Sequence, residues 1–200
     1  LFDWSQASGD AGSAVNAGKL LLMAHSRNYD STHWLEGDLA AARANPEIDW
    51  VFVMRHQPYL ESRQFQSWLE AFDKYPVDFV LGGDKHYYLR SVPLRRGKAA
   101  LDGTVCIISG TASKHAEIKI PDQAFFDAHF DKRNSGQPAA DNELYHCSFF
   151  EVDGKEVRFR DYDSESGKVY DWFRVVKDDD GKVVVRENSV VPPRAAGDAR

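Results

Sequence analysis

"DFVLGGDKHYYLRSVPL", residues 78–94, is where the fold of this chain is decided. An apolar run enters Gly82-Gly83 and is followed at once by Asp84, Lys85 and His86, then by aromatics and Arg90. A short apolar run bounded by glycines reads as a strand buried on both faces. A carboxylate and an imidazole at the mouth of such a strand stand where an α/β protein would hold a metal ion.

Reading outward, the residues before this stretch repeat one pattern. "GKLLLMAHS" (18–26) is a short buried strand, and "DSTHWLEGDLAAARAN" (30–45) carries Trp34, Leu35, Leu39 and Ala42 at helical spacing behind a Ser31 or Asp30 cap. "DWVFVMRH" (49–56) is a second buried strand. "SRQFQSWLEAFDKYP" (62–76) sets Phe65, Trp68, Leu69 and Phe72 on one helical face. Strand, helix, strand, helix, strand predicts right-handed βαβ crossovers and a parallel-rich α/β sheet. His56 closes one strand and Asp84 and His86 follow the next, so both clusters are expected at the same carboxyl edge.

After Gly103 the pattern changes. "GTVCIISG" (103–110) is one more strand, and residues 112–144 form a long polar excursion. An antiparallel meander then starts at about 144. Its runs "YHCSFFEV", "KEVRFRDYD", "KVYDWFRVV" and "KVVVREN" are separated by the turn signals "DG", "SESG" and "DDDG". The expected organisation is a loop or linker over 1–17, a main body over 18–176, and a terminal hairpin with a disordered tail over 177–200.

Composition narrows the function classes. The chain has 200 residues, a net charge of −6, 42% hydrophobic and 28% charged residues, so no basic footprint for nucleic acid or an anionic membrane is present. Its longest apolar runs are too short to span a bilayer. It begins at Leu1, which suggests processing or a fragment. Cys106 and Cys147 lack metal-site spacing and read as buried free thiols or as a disulfide pair. His25, His33, His115, His129 and His146 read as surface or hydrogen-bonded core residues. The acidic turns "DYDSESGKVYDW" and "KDDDGK" fail the calcium-loop pattern and read as hairpin turns. G-x-S-x-G, Walker, Rossmann and H-E-x-x-H signatures are missing.

Taken together, "STHWLEGDLAAA", "DWVFVMRHQPYL", "YPVDFVLGGDKHYYLRSVPL" and "DGTVCIISGTASK" resemble, in order and spacing, the C-terminal half of the calcineurin-like metallophosphoesterases, purple acid phosphatase-like branch. The resemblance covers about residues 18–176. It implies an α/β sandwich and metal-dependent hydrolysis of phosphoric esters by a pair of transition metals (iron, zinc or manganese). These sit about 4 Å apart, generate a hydroxide and clamp the phosphoryl group.

Carried over by position, His56 matches a metal-ligand histidine and His86 matches the second histidine of the family's G-H-x-H motif. Asp84 stands where the first histidine of that motif belongs, so it is a candidate ligand of a harder kind. Leu89 replaces an acidic residue that often precedes Arg90. The family's opening Asp motif, its bridging Asp and its Asn-His pair have no counterpart here; "SGD" (8–10) and "EGD" (36–38) lack the surrounding pattern.

The expectation is a partial metal site of His56, Asp84 and His86 that takes up one ion weakly or none. No catalytic residue is assigned, and the substrate-binding residues stay open. The chain alone is expected to be incomplete as a catalyst and to be found with its missing N-terminal half or in self-association. If active, it would take a phosphorylated small molecule or another phosphoester as substrate, and the family resemblance leans towards a periplasmic or secreted location. The alternatives are a non-catalytic metallophosphoesterase-like binding or structural module and a carbohydrate- or protein-binding β-domain suggested by the meander's aromatics.

Overall fold

A computed structural model describes residues 20–24, 31–57, 66–96, 98–116 and 140–188. The expected loop over 1–17, the tail after Asn188, Phe65, His25, His129 and most of the polar excursion lie outside the described residues.

The elements run β1 (Leu20–Ala24), α1 (Ser31–Ala44), β2 (Trp50–Arg55), α2 (Gln66–Lys74), β3 (Phe79–Gly82), β4 (Tyr88–Arg90), β5 (Leu94–Arg95), β6 (Lys98–Ala99), β7 (Val105–Ser109), β8 (Ala140–Asp141), β9 (His146–Asp153), β10 (Glu156–Asp163), β11 (Val169–Lys177) and β12 (Val183–Asn188). Strands β1-β2-β3-β7-β4-β8 form a six-stranded sheet, and β12-β11-β10-β9 form a four-stranded one. The pairs β1·β2, β2·β3 and β3·β7 are parallel; β4 pairs antiparallel with both β7 and β8. The meander is antiparallel throughout.

Two cores follow from the period of two along each strand. Val51 and Val53 of β2, Val80 of β3 and Cys106 of β7 face α1 and α2, meeting Leu35, Leu39, Trp68 and Phe72. Their neighbours Trp50, Phe52, Phe79, Val105 and Ile107 face the other way, against Val157, Phe159, Phe173 and Val175 of the meander. The fold is therefore a helix layer, a parallel-rich sheet and an antiparallel sheet. Phe79 sits at the middle of the sheet–sheet core, with ring centroids 4.7 Å from Phe52, 5.4 Å from Phe150 and 5.6 Å from Phe173. Burying such a ring contributes about 1.5–3 kcal/mol.

Polar ties hold the layers in register. Asp78, just ahead of β3, accepts from the Val51 amide at 2.9 Å, pairs with Arg43 of α1 at 2.8 Å and with Lys177 of β11 at 2.5 Å. One carboxylate thus links all three layers.

The structure adds elements that the sequence does not announce. β8 is a two-residue edge strand closing the excursion, and β5 and β6 form a small hairpin. The pairing of β12 with β11 makes it the outer strand of the meander sheet. The cysteines differ from a buried pair: both thiols are free, with Cys106 buried and Cys147 exposed. Cys106 lies in the helix-side core and Cys147 on the meander. They occupy different layers, which excludes a bridge.

Candidate functional site

The site is built on the carboxyl edge of the parallel strands. β2 and β3 run in parallel register with Arg55 beside Gly82, so the residues that follow each strand emerge side by side. The Gly83 amide donates to the His56 carbonyl at 2.9 Å and locks the two strand ends together. Asp84 then adopts a left-handed backbone, φ 62°. Few residue types tolerate that region, and aspartate is among those enriched in it. This turn swings the Asp84 carboxylate back over β2, where its Oδ1 lies 3.1 Å from His56 Nε2.

A glycine on the next strand makes room for the turn. A Cβ at Gly110, just past β7, would lie 1.8 Å from the Lys85 carbonyl oxygen; no side chain fits. The "SG" that ends β7 is thus a packing requirement of the "GGDKH" turn. The loop is fixed from the other side by the Ala116 amide, which donates to the His86 carbonyl at 2.8 Å.

The electrostatics are those of a half-open rim. The His56 side chain is 69% exposed and that of Asp84 28% exposed, while Lys85 Nζ lies 3.9 Å from the other Asp84 oxygen. The carboxylate is bracketed by an imidazole and an ammonium. His86, half-buried, follows in the same turn. Among the described residues, no group of three or more His, Cys, Asp or Glu side chains is gathered so as to hold a metal ion. The donors that meet, His56 and Asp84, meet each other. A tetrahedral or two-metal centre needs more ligands than this rim supplies, so the described residues do not by themselves fit a metal pair.

A second imidazole–carboxylate cluster was not anticipated from the sequence. His146 opens β9 and is buried, with Nδ1 2.5 Å from Asp161 Oδ2 and Nε2 3.2 Å from Asp141 Oδ1. The signal was present: in "VRFRDYD" Asp161 falls in phase with the inward-facing Val157 and Phe159, and a charge in that phase needs a partner.

No family model matches the chain. Over 75 residues, 33% of the chain, it is 41% identical to an uncharacterized protein of Mycobacterium tuberculosis (strain ATCC 25618 / H37Rv), of which that match spans 14%. Over 76 residues it is 38% identical to an acid phosphatase of Aspergillus ficuum, spanning 12% of that enzyme. Among solved structures, the purple acid phosphatase PPD1 from yellow lupin (Lupinus luteus) seeds superposes on 90% of the chain with a TM-score of 0.63 at 15% identity.

The chain has the fold of one part of a purple acid phosphatase.

It covers 34% of the lupin chain. GAP50, described as the anchor in the inner membrane complex of Plasmodium, shares the architecture at a TM-score of 0.53 and 13% identity, over 76% of this chain and 47% of that one. The chain thus spans a minor part of the proteins it matches. Within the phosphatase fold, the described portion supplies a helix layer, the parallel strands with their carboxyl edge, and the meander. No helix among the described residues is long and apolar enough to cross a membrane.

Proposed function

We propose that this chain is part of a metal-dependent phosphoric-ester hydrolase of the purple acid phosphatase type, and that it contributes one rim of the active site without completing it. The observation that carries this reading is the meeting of His56 and Asp84 on the carboxyl edge of β2 and β3, where ligands of open α/β sheets collect. The fold and the likeness to an acid phosphatase support it.

In this reading His56, Asp84 and His86 are the metal-facing residues, and iron, zinc or manganese is the ion. When bound by a full ligand set, the metals supply an activated hydroxide and charge neutralisation for the phosphoryl group. The chain's own contribution is to hold imidazole and carboxylate at the rim and to present the Lys85 ammonium towards an incoming phosphate. The remaining ligands come from the rest of the sandwich, or a second copy covers the open face. A periplasmic or secreted location goes with this assignment.

The test is elemental analysis of the purified chain after incubation with each metal, beside His86→Ala, together with turnover of p-nitrophenyl phosphate. We expect at most one weakly held ion per chain, less in the variant, and no turnover. Two tightly held ions or measurable hydrolysis by the chain alone would overturn the partial-site assignment.

A second reading has its own observation. Asp84 stands where the family resemblance expects a histidine, and its carboxylate is already engaged by His56 and Lys85. A non-catalytic binding or structural module accounts for that engagement, and the fold is shared by a Plasmodium protein described as an anchor. Absence of metal in both wild type and His86→Ala would favour this module over the hydrolase.

A further inference from the structure

The junction of the two sheets buries a polar network distinct from the carboxyl-edge rim. Arg90 of β4 grips Asp171 of β11 with Nε at 2.6 Å and Nη2 at 3.0 Å, and the Tyr88 hydroxyl donates to the same carboxylate at 2.8 Å. All three residues of this half are buried.

The other half is Asp161 of β10, also buried, which accepts from the Ser148 hydroxyl at 2.6 Å and faces His146 Nδ1 at 2.5 Å. Ser148 is tied in turn to Ser109 of β7 at 3.0 Å. His146 is the cation that faces a charged Asp161. The second ring nitrogen of His146 faces Asp141 of the edge strand β8 at 3.2 Å. The ring lies flat against Tyr88, centroids 4.8 Å apart, and edge-on to Tyr170 at 4.7 Å. Between two ionised carboxylates an imidazole satisfies both only as the cation, which donates from both sides.

We infer that this junction is an acid-stabilised latch. A protonated His146, clamped between Asp161 and Asp141, ties the meander to the six-stranded sheet and holds β8 in place, and its grip is lost when the proton leaves. The inference is independent of the hydrolase assignment, because no residue of the carboxyl-edge rim takes part.

The titration of the groups around the ring agrees in sign. Burial works to lower the His146 pKa, but the hydrogen bonds and charges of Asp161 and Asp141 outweigh it and leave it above the usual imidazole value. Burial likewise raises the Asp161 pKa, partly offset by His146 and Ser148, with Asp171 adding to the rise. Asp163, at the exposed end of β10, is held below its usual value chiefly by hydrogen bonds from Ser166 and the Glu165 amide, with a small contribution from His146. Tyr88 is raised by burial and by Asp171, so it stays neutral. Both members of the His146–Asp161 pair therefore bind their protons more tightly in the folded chain than in the unfolded one. The His146 contribution is fully present below the ordinary histidine value and is lost as pH rises through the folded one, whereas that of Asp161 is fully present only below the ordinary aspartate value and is lost as pH rises through its own folded one.

Urea unfolding of the full chain at pH 5.5 and pH 9, for wild type and His146→Gln, reads this directly. The wild-type advantage in folded-to-unfolded ratio is expected to be measurably larger at pH 5.5 than at pH 9. An equal advantage at both pH values would overturn the latch. If the variant does not fold, the wild-type imidazole resonance that shows contacts to Tyr88 and Tyr170 decides. Titration above about 6.5 supports the latch, and titration at or below it overturns it.

Discussion

Two imidazole–carboxylate pairs in this chain share their chemistry and differ in their solvent. His56 and Asp84 meet at 3.1 Å with side chains 69% and 28% exposed. His146 and Asp161 meet at 2.5 Å with both side chains fully buried. In water the first pair gains little from its attraction and is open to an ion or a phosphate. In the sheet junction the second pair is held by low dielectric and by its neighbours, and breaking it leaves an uncompensated charge. The contrast separates a place where the fold offers groups to a ligand from one where it consumes them. It also shows why a histidine and an aspartate in contact are not by themselves a functional site.

The sharpest way to break this contrast is to remove the buried carboxylate. Asp161→Ala removes the partner of His146 Nδ1 and one of the two partners of the Ser148 hydroxyl in the junction. A loss of about 3–5 kcal/mol in unfolding free energy is expected, the range for breaking one partner of a buried pair. A loss below about 1 kcal/mol, measured by urea titration at pH 6, would mean that the junction is wetter than its burial implies and that the two pairs do not differ in kind.

Next in size is the packing under the exposed rim. Gly110→Ala drives a methyl group to 1.8 Å from the Lys85 carbonyl, which is backbone and cannot swing aside. Overpacking of this kind costs about 1–3 kcal/mol, and here the strain falls on the turn carrying Asp84 and His86. Circular dichroism melts should show the lower stability, and metal uptake should fall with it. An unchanged melting temperature would show that the turn yields freely, and the rim would then be less preorganised than its hydrogen bonds suggest.

How much of this was readable in the sequence follows from what each part depends on. β2, β3 and β7 are short continuous apolar runs whose alternation feeds two cores, so "WVFVMR", "FVLG" and "VCIIS" announce both their type and their double burial. The meander turns were equally plain, because Gly154, Gly167 and Gly181 take the positive φ that such turns require. The neighbourhood of His56 and Asp84 followed from topology alone, since two parallel strands end together. What could not be read was any contact between elements far apart in the chain: β8 closing on β4, or His146 of β9 reaching Asp141 and Asp161. Those depend on how the second sheet docks on the first, which no local periodicity encodes. Cys147 is exposed for a related reason. A strand at the edge of a one-sided sheet alternates, and a single residue's phase decides whether a thiol is buried.

The smallest stability effect belongs to the exposed pair, and it carries the most information about function. His56→Ala removes an imidazole that is mostly in solvent and engages Asp84 across a high-dielectric gap. Such pairs contribute between nothing and about 1 kcal/mol, so the melting curve should hardly move. If the rim serves a metal, the same change should lower the ion content of the chain severalfold, because a site with so few donors cannot lose one and keep its affinity. A fall in metal uptake with unchanged stability would assign His56 to a ligand and so mark the open pair as functional. A stability loss of several kcal/mol without any change in metal content would place His56 in the same class as His146, and the distinction between the offered pair and the consumed pair would disappear.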